Sequence, residues 1–256
     1  MWPFAKSTFL DSDDENWQIE TWNWFLDKFG GIARLQATPL VTPSKEFFPA
    51  TDKTGEERTG YIFDRVKDIA GMRDWQCRLI VQPQRAELKV GEITALKPIS
   101  QAPAGTFGFE GNEAVISYEP SSISDPVALI ATFAHELSHY RLVPVFDEIP
   151  GGEELHEYTT DLLTVFLGFG LFSANSAFNF SQHHDTGSQG WRYSRHGYLG
   201  ERGFIFALAL FLEQRKQDAG EAKPYLKSHL NVDLAKALNH IRRNKILERL
   251  DNRTSI

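Results

Sequence analysis

The sequence predicts an α+β fold in which a small mixed sheet packs beside a mainly helical body. Strand-like patterns lie before residue 120, whereas nearly all of the chain after that point has helical periodicity. Two short strand candidates, over residues 106–110 and 114–118, flank Gly111, Asn112 and Glu113, a pattern typical of a hairpin. The sheet is therefore expected in the first half of the chain and the helical body mostly in the second.

Two helices and one strand are predicted before the hairpin, over residues 14–29, 55–70 and 78–82. The first helix has Trp17, Trp24 and Phe25 at helical spacing and is expected to end at Gly30 and Gly31. A stretch that contains several prolines follows it and is expected to be extended.

The helices after the hairpin are predicted from their capping residues. Asp125 is a favourable N-cap and Pro126 suits the first helical position, so a helix is expected from there to about residue 140. The Pro-Gly-Gly sequence at 150–152 breaks the chain, and a further helix is expected to begin near Glu153. Two later helices are expected, one beginning near Leu199 and an amphipathic one over residues 232–250.

An uncharged segment over residues 162–180 is long enough to span a bilayer as a helix. Polar side chains occur throughout this segment, and no basic flank is present to orient it in a membrane. We therefore expect a buried core helix here and no membrane span.

Composition and charge exclude several classes of protein. The 256 residues carry a net charge of −7, which argues against a general nucleic-acid binder because such a protein needs a basic face. The single cysteine, Cys77, allows no internal disulfide and is expected to be a small buried apolar residue. The N-terminal apolar stretch is too short for a signal peptide, so we expect a cytoplasmic protein.

The sequence His-Glu-Leu-Ser-His begins at residue 135, inside a predicted helix. His135 and His139 lie one turn apart on one helix face, so both can bind a single metal ion. Glu136 projects beside them and can take a proton from a water that zinc activates for attack on a carbonyl. The motif therefore predicts a zinc site with a catalytic base.

A catalytic zinc usually has three protein ligands, and the next predicted helix offers three acidic residues. Glu157 and Asp161 lie one turn apart on one face, and Glu154 is a further candidate. One acid can bind the metal while another orients a ligand histidine through its second ring nitrogen. His156 falls off the face formed by Glu157 and Asp161, and is expected at the surface.

The two motifs together, HELSH and then Glu-Tyr-Thr-Thr-Asp, resemble those of the gluzincin metallopeptidases over about residues 105–170. The resemblance implies that His135, His139 and Glu157 bind zinc and that Asp161 holds His135. It also implies that a peptide or protein substrate binds extended along the hairpin, residues 106–118. The chain lacks the third histidine of the metzincin pattern.

The resemblance further implies one zincin-like domain over residues 1–256. In this interpretation, residues 1–75 are an N-terminal helical extension, residues 76–180 are the metal-binding catalytic core, and residues 181–256 are a C-terminal helical part.

A peptidase also needs a donor that stabilises negative charge on the substrate. Tyr198 and His196, just before the helix near residue 199, are the best candidates, and both are counted as catalytic. The competing candidates are Arg192, Tyr193 and Arg195. His183, His184, Asp185 and His196 form a second polar cluster, which is expected to be a loop over the cleft rather than a second metal site.

Three functions fit these observations. The first is a zinc-dependent peptidase, which Glu136 favours because a structural metal site does not need a base. The second is a zincin-fold protein with a structural or regulatory metal that acts by binding a partner or ligand. The third is a metal-dependent hydrolase of a non-peptide bond, and the sequence does not separate it from the first because the activated water is the same.

Overall fold

The computed structural model describes residues 8–82, 104–182 and 198–251 of the chain. Within these ranges it confirms the predicted α+β class, because a three-stranded mixed sheet packs against a larger set of helices. The strands are β1 (Cys77–Val81), β2 (Gly105–Glu110) and β3 (Glu113–Tyr118). The helices are α1 (Ser12–Lys28), α2 (Gly31–Ala37), α3 (Gly55–Ile69), α4 (Pro126–Leu142), α5 (His156–Thr164), α6 (Gly170–Gln182), α7 (Glu201–Gln214), α8 (Ser228–Arg243) and α9 (Ile246–Asp251).

The described strands have the order β1-β3-β2, with β1 parallel and β2 antiparallel to β3. β2 and β3 form the predicted hairpin, whose two-residue turn begins at Gly111 with a φ of +63°. Arg78 on β1 forms ion pairs with Glu110 and Glu113 and so ties the hairpin to its neighbour. β2 therefore lies at an edge of the sheet formed by the described strands.

Helix α4 carries the HExxH motif and packs against β2 and β3. Asp125 caps the helix by accepting hydrogen bonds from the backbone N–H groups of Val127 and Ala128, at 3.1 and 3.0 Å. The middle of α4 is buried on all sides, and the side chains of Phe133 and Leu137 have no exposed surface. The motif is thus presented from inside the fold.

The helical body surrounds α7, whose residues from Gly203 to Leu212 are all buried. α6 and α8 pack directly against it, and α1 joins it through Trp22, whose Nε1 donates a hydrogen bond to Gln214 at 2.6 Å. One hydrophobic cluster runs from the sheet through α4 to these helices. Burial of this apolar surface is the main stabilising contribution and gives α4 a rigid support.

The helices differ from the predictions at three places. Helix α2 was not predicted: Gly30, with a φ of +98°, turns the chain directly into a new helix instead of an extended segment. The helix expected from Glu153 begins with a 3-10 turn, and α5 itself starts at His156. The last predicted helix is divided into α8 and α9, because Lys245 adopts a φ of +51° between them.

The uncharged segment is buried, as predicted, but it is not one continuous helix. Its described side chains, over residues 162–177, are all buried except that of Asn175, which is half-buried. Gly168 adopts a φ of +96° and accepts a hydrogen bond from the backbone N–H of Val41 at 3.0 Å. A crossing segment thus breaks the helix at this glycine. No helix among the described residues has the length and apolarity needed to cross a bilayer.

The break at Gly168 predicts a large effect of Gly168→Ala on stability. The added Cβ would overlap the Pro39 carbonyl oxygen, and the positive φ disfavours any L side chain. We expect the free energy of unfolding to fall by about 2–4 kcal/mol, measured by denaturant titration.

Gly60→Ala is the matched control, because Gly60 lies within α3 and a Cβ there meets nothing within 4 Å. This variant should be as stable as the parent or gain about 0.5–1 kcal/mol from the better helix former. Equal stabilities of the two variants would contradict the proposed role of Gly168.

Candidate metal centre

Three side chains from two helices meet at one point in the structure. His135 and His139 lie one turn apart on α4, and their Nε2 atoms are 3.0 Å from each other. Glu157, in the first turn of α5, places its Oε2 at 3.3 Å from the first of these nitrogens and 3.4 Å from the second. One atom from each residue lies within 4.8 Å of the other two, so this group could hold a metal ion.

The turn between α4 and α5 brings Glu157 to the histidines. Gly151 and Gly152 both have positive φ, at +85° and +80°, which lets the chain reverse in a short distance. The Nε1 of Trp17 donates a hydrogen bond to the Pro150 carbonyl at 3.2 Å and holds the turn in place. The Pro-Gly-Gly signal in the sequence therefore marks the turn that assembles the site.

A buried oxygen of Glu157 supports a metal as the missing partner. Glu157 Oε2 is shielded from solvent and has no hydrogen-bond partner among the described residues, although it faces both imidazoles. A buried carboxylate oxygen without such a partner is costly unless a cation neutralises it. Glu154, the alternative ligand, is exposed and lies outside the group.

Asp161 lies behind His135 and is almost fully buried, with 5% exposure. Its Oδ1 is 2.9 Å from His135 Nδ1, and its Oδ2 accepts a hydrogen bond from the backbone N–H of Leu199 at 2.8 Å. Contact with the carboxylate favours a proton on Nδ1, so the neutral form of this histidine would keep the Nε2 lone pair for a metal. Asp161 thus has the orienting position that the motif implied.

Glu136 follows His135 and is buried against the start of β2. A Cβ on Gly105 would come within 3.1 Å of its Cγ, so the glycine leaves the room that this carboxylate occupies. Burial raises the pKa of Glu136 to about 7, with a smaller opposing effect from His135. A carboxylate with such a pKa can accept and return a proton near neutral pH.

The charges of the group displace other pKa values as well. Burial alone raises the pKa of Glu157, but contacts with His135 and His139 outweigh it and hold that pKa well below its usual range. Burial raises the pKa of Asp161. Burial lowers the pKa of His139, whereas at His135 the contacts with the carboxylates of Asp161 and Glu157 outweigh the effect of burial and raise the pKa. The group is therefore a strongly coupled, buried cluster.

Tyr198 lies at the same site, half-buried, with its ring centroid 5.5 Å from that of His135. Burial and the nearby carboxylates of Glu157, Asp161 and Glu136 raise the pKa of its hydroxyl, so this group stays protonated at neutral pH and can donate a hydrogen bond. The competing candidates and the second polar cluster, namely His183, His184, Asp185, Arg192, Tyr193, Arg195 and His196, lie outside the described residues.

His156 occupies a different position from the one predicted. It was expected at the surface, but it is half-buried, and its Nε2 lies 3.4 Å from His139 Nδ1. The hydroxyl of Thr160, one turn further along α5, lies 3.3 Å from the same nitrogen. Both residues therefore contact the outer side of the second histidine. Their i, i+4 spacing on α5 was visible in the sequence, but the direction of their shared face was not.

The described side chains thus form a group that could bind one metal ion, beside a buried carboxylate and a tyrosine hydroxyl. Comparisons of the chain with protein-family models, with curated proteins and with solved structures gave no match. The function must therefore be inferred from the chemistry of these side chains.

The geometry predicts that the protein binds about one metal ion per chain and that His139→Ala removes it. Only two protein ligands remain in this variant, and two ligands do not hold an ion tightly. Metal content is measured by elemental analysis after dialysis against a buffer that contains trace metal. His229→Ala is the control, since His229 is an exposed histidine paired with Glu201 on α7. Full occupancy in a variant lacking both His135 and His139 would refute the assignment.

A second prediction separates the two acids of α5. Glu157→Ala should remove the ion, whereas Asp161→Asn should weaken metal affinity by about 10- to 100-fold, because an amide supports the protonated Nδ1 less well than a carboxylate. Affinity is measured by competition with a chelating dye. The exposed Glu154→Ala should bind as the parent does. If Asp161→Asn lost all metal and Glu157→Ala retained it, Asp161 would be the ligand.

Proposed function

We propose that this chain is a zinc-dependent peptidase in which Glu136 is the catalytic base. The observation that carries the proposal is the position of a buried carboxylate directly beside a His-His-Glu group able to hold a metal. A structural metal site does not need a base. Burying a carboxyl group is costly, and a catalytic role would explain why one is buried here.

The donor set supports zinc as the metal. Two imidazole nitrogens and one carboxylate are a common ligand set for catalytic zinc, which keeps a further position open for water or substrate. Ligands about 2.0–2.1 Å from a tetrahedral zinc are about 3.3 Å from each other, close to the separations of 3.3 and 3.4 Å between Glu157 and the histidines. Zinc would supply a Lewis acid for the substrate carbonyl and acidify the attacking water.

The protein side chains would divide the remaining work between them. Glu136 would take a proton from the attacking water and deliver it to the leaving amine. Tyr198 would donate a hydrogen bond to the carbonyl oxygen as it gains charge. Asp161 would hold His135 and, through the Leu199 amide, also fix the backbone next to Tyr198.

The edge strand β2 provides a place for a peptide. Its start lies beside Glu136, and Phe107 lies over His139 with nearly parallel rings, so the strand runs along the metal group. An extended peptide that paired with this edge would carry its backbone past the base. A mixed sheet with an antiparallel edge strand packed on the HExxH helix also supports the zincin-like fold that the motifs imply.

The proposal predicts that Glu136→Gln retains zinc and fold but loses hydrolysis, because glutamine has nearly the same volume and cannot accept a proton. The rate should fall by about 10²–10⁴-fold, measured by mass spectrometry of a digested peptide library. Cleavage should occur in flexible segments. Glu154→Gln, which changes an exposed carboxylate, should cut at the parental rate.

Two results would count against the proposal. If Glu136→Gln cut as fast as the parent, Glu136 would not be the base. If zinc-loaded parent protein cut no peptide in a broad library, a non-peptide substrate or a partner-binding function of the same metal site would become the better explanation.

A further inference from the structure

A group of aromatic side chains extends from the metal group along the sheet. Phe107 stacks on His139 with ring centroids 6.4 Å apart and planes within 6°, and it stacks on Tyr140 at 5.3 Å. Phe109 meets Phe107 at 5.3 Å and Tyr140 at 6.1 Å, both edge to face. Trp75 also meets Tyr140 edge to face, at 4.8 Å. We call Phe107, Phe109, Tyr140 and Trp75 together the aromatic wall.

The aromatic wall is held in place at several points. The hydroxyl of Tyr140 donates a hydrogen bond to the Gln76 carbonyl at 3.1 Å, which ties α4 to the residue before β1. The guanidinium of Arg141 lies 5.3 Å from the centroid of Trp75. Offset and edge-to-face ring contacts of this kind restrict the orientation of each ring. The wall is therefore a pre-formed surface rather than a set of independent side chains.

Phe109 is the exposed end of this wall. Its exposed fraction is 52%, although it belongs to a cluster that begins at the half-buried His139. Alternate residues of a strand point to the same face, so Gly105, Phe107 and Phe109 follow one another along the α4 side of β2. The apolar surface thus starts beside Glu136 and ends in solvent.

The edge of β2 shows what could cover this surface. In the described ranges β2 pairs with β3 alone, and an edge of this kind is a template on which an extended chain can add a strand. Side chains directly opposite each other on paired strands lie about 4.5–5.5 Å apart at Cβ. A peptide residue opposite Phe109 would therefore place its side chain against the exposed ring, about four residues along the strand from Gly105, which lies beside Glu136.

We propose that the aromatic wall is a substrate subsite for an aromatic or large aliphatic side chain, on one side of the scissile bond only. This inference rests on the proposed function and names the substrate class of the same site. The charges at this end of the sheet, Glu110 and Glu113 around Arg78, are two acids for one base and disfavour an acidic side chain.

Binding of matched peptides to zinc-loaded Glu136→Gln tests the subsite without relying on hydrolysis. The peptides differ in one residue, with Phe, Leu, Ala or Glu at the position to which the library digest points, or at each position in turn if no cut is found. Fluorescence anisotropy should show the Phe peptide binding about tenfold more tightly than the Ala peptide, and the Glu peptide the most weakly. Equal affinities at every position would overturn the subsite.

Variants of Phe109 connect the preference to the wall. In the Glu136→Gln background, Phe109→Ala should reduce the Phe-over-Ala preference to about threefold or less, whereas Phe109→Tyr should keep it because the ring remains. Val232→Ala, which trims an exposed apolar side chain on α8, should leave it unchanged. An unchanged preference in Phe109→Ala, with a normal melting temperature, would refute the assignment.

The active protein separates the two proposals. If it cuts peptides without any preference for apolar residues near the cut, the peptidase proposal stands and the subsite fails. If it cuts nothing while the inactive variant still binds Phe peptides through Phe109, the subsite stands as a peptide-binding surface and hydrolysis of peptides fails.

Discussion

The buried carboxylate of Asp161 is the constraint on which the site depends. One oxygen contacts the Nδ1 of His135 and the other accepts the N–H of Leu199, so a single side chain links α4, α5 and the segment before α7. A carboxylate with 5% exposure is costly unless both oxygens have partners. The contact with His135 therefore fixes the orientation of that imidazole. The hydrogen bond from Leu199 fixes the backbone next to Tyr198, and so its distance from His135.

The sheet and the helix meet through the smallest residue available. Gly105 begins β2 at the point where Glu136 is buried, and a side chain there would press on Thr132 and Glu136. Two residues later the same face carries Phe107, which covers His139 instead of displacing it. This change from no side chain to a large one along one strand leaves room for Glu136 and covers His139, and it makes β2 part of the site as well as part of the fold.

Local signals predicted the parts of this arrangement that local physics determines. The cap at Asp125, the i, i+4 histidines and the hairpin turn each depend on neighbouring residues, and all three occur where expected. The break at Gly168 depends on a distant segment, 38–41, that passes close to its backbone, so helical periodicity could not reveal it. The position of His156 against His139 likewise depends on how α5 packs on α4, and the contact of Trp75 with Tyr140 joins residues 65 positions apart.

The electrostatics of the group explain why a metal is a better account of it than a network of ion pairs. Glu136, Glu157 and Asp161 bring three carboxyl groups close to two imidazoles in a buried space, and burial opposes the charge on each of them. Burial raises the pKa of Glu136, and contacts with Asp161 and Glu157 raise that of His135, so both groups favour their protonated forms. A divalent ion would supply the same positive charge without protons, leaving the histidines neutral and Glu136 free to titrate during a reaction. An ion held by His135, His139 and Glu157 would thus reduce the cost of assembling these carboxyl groups.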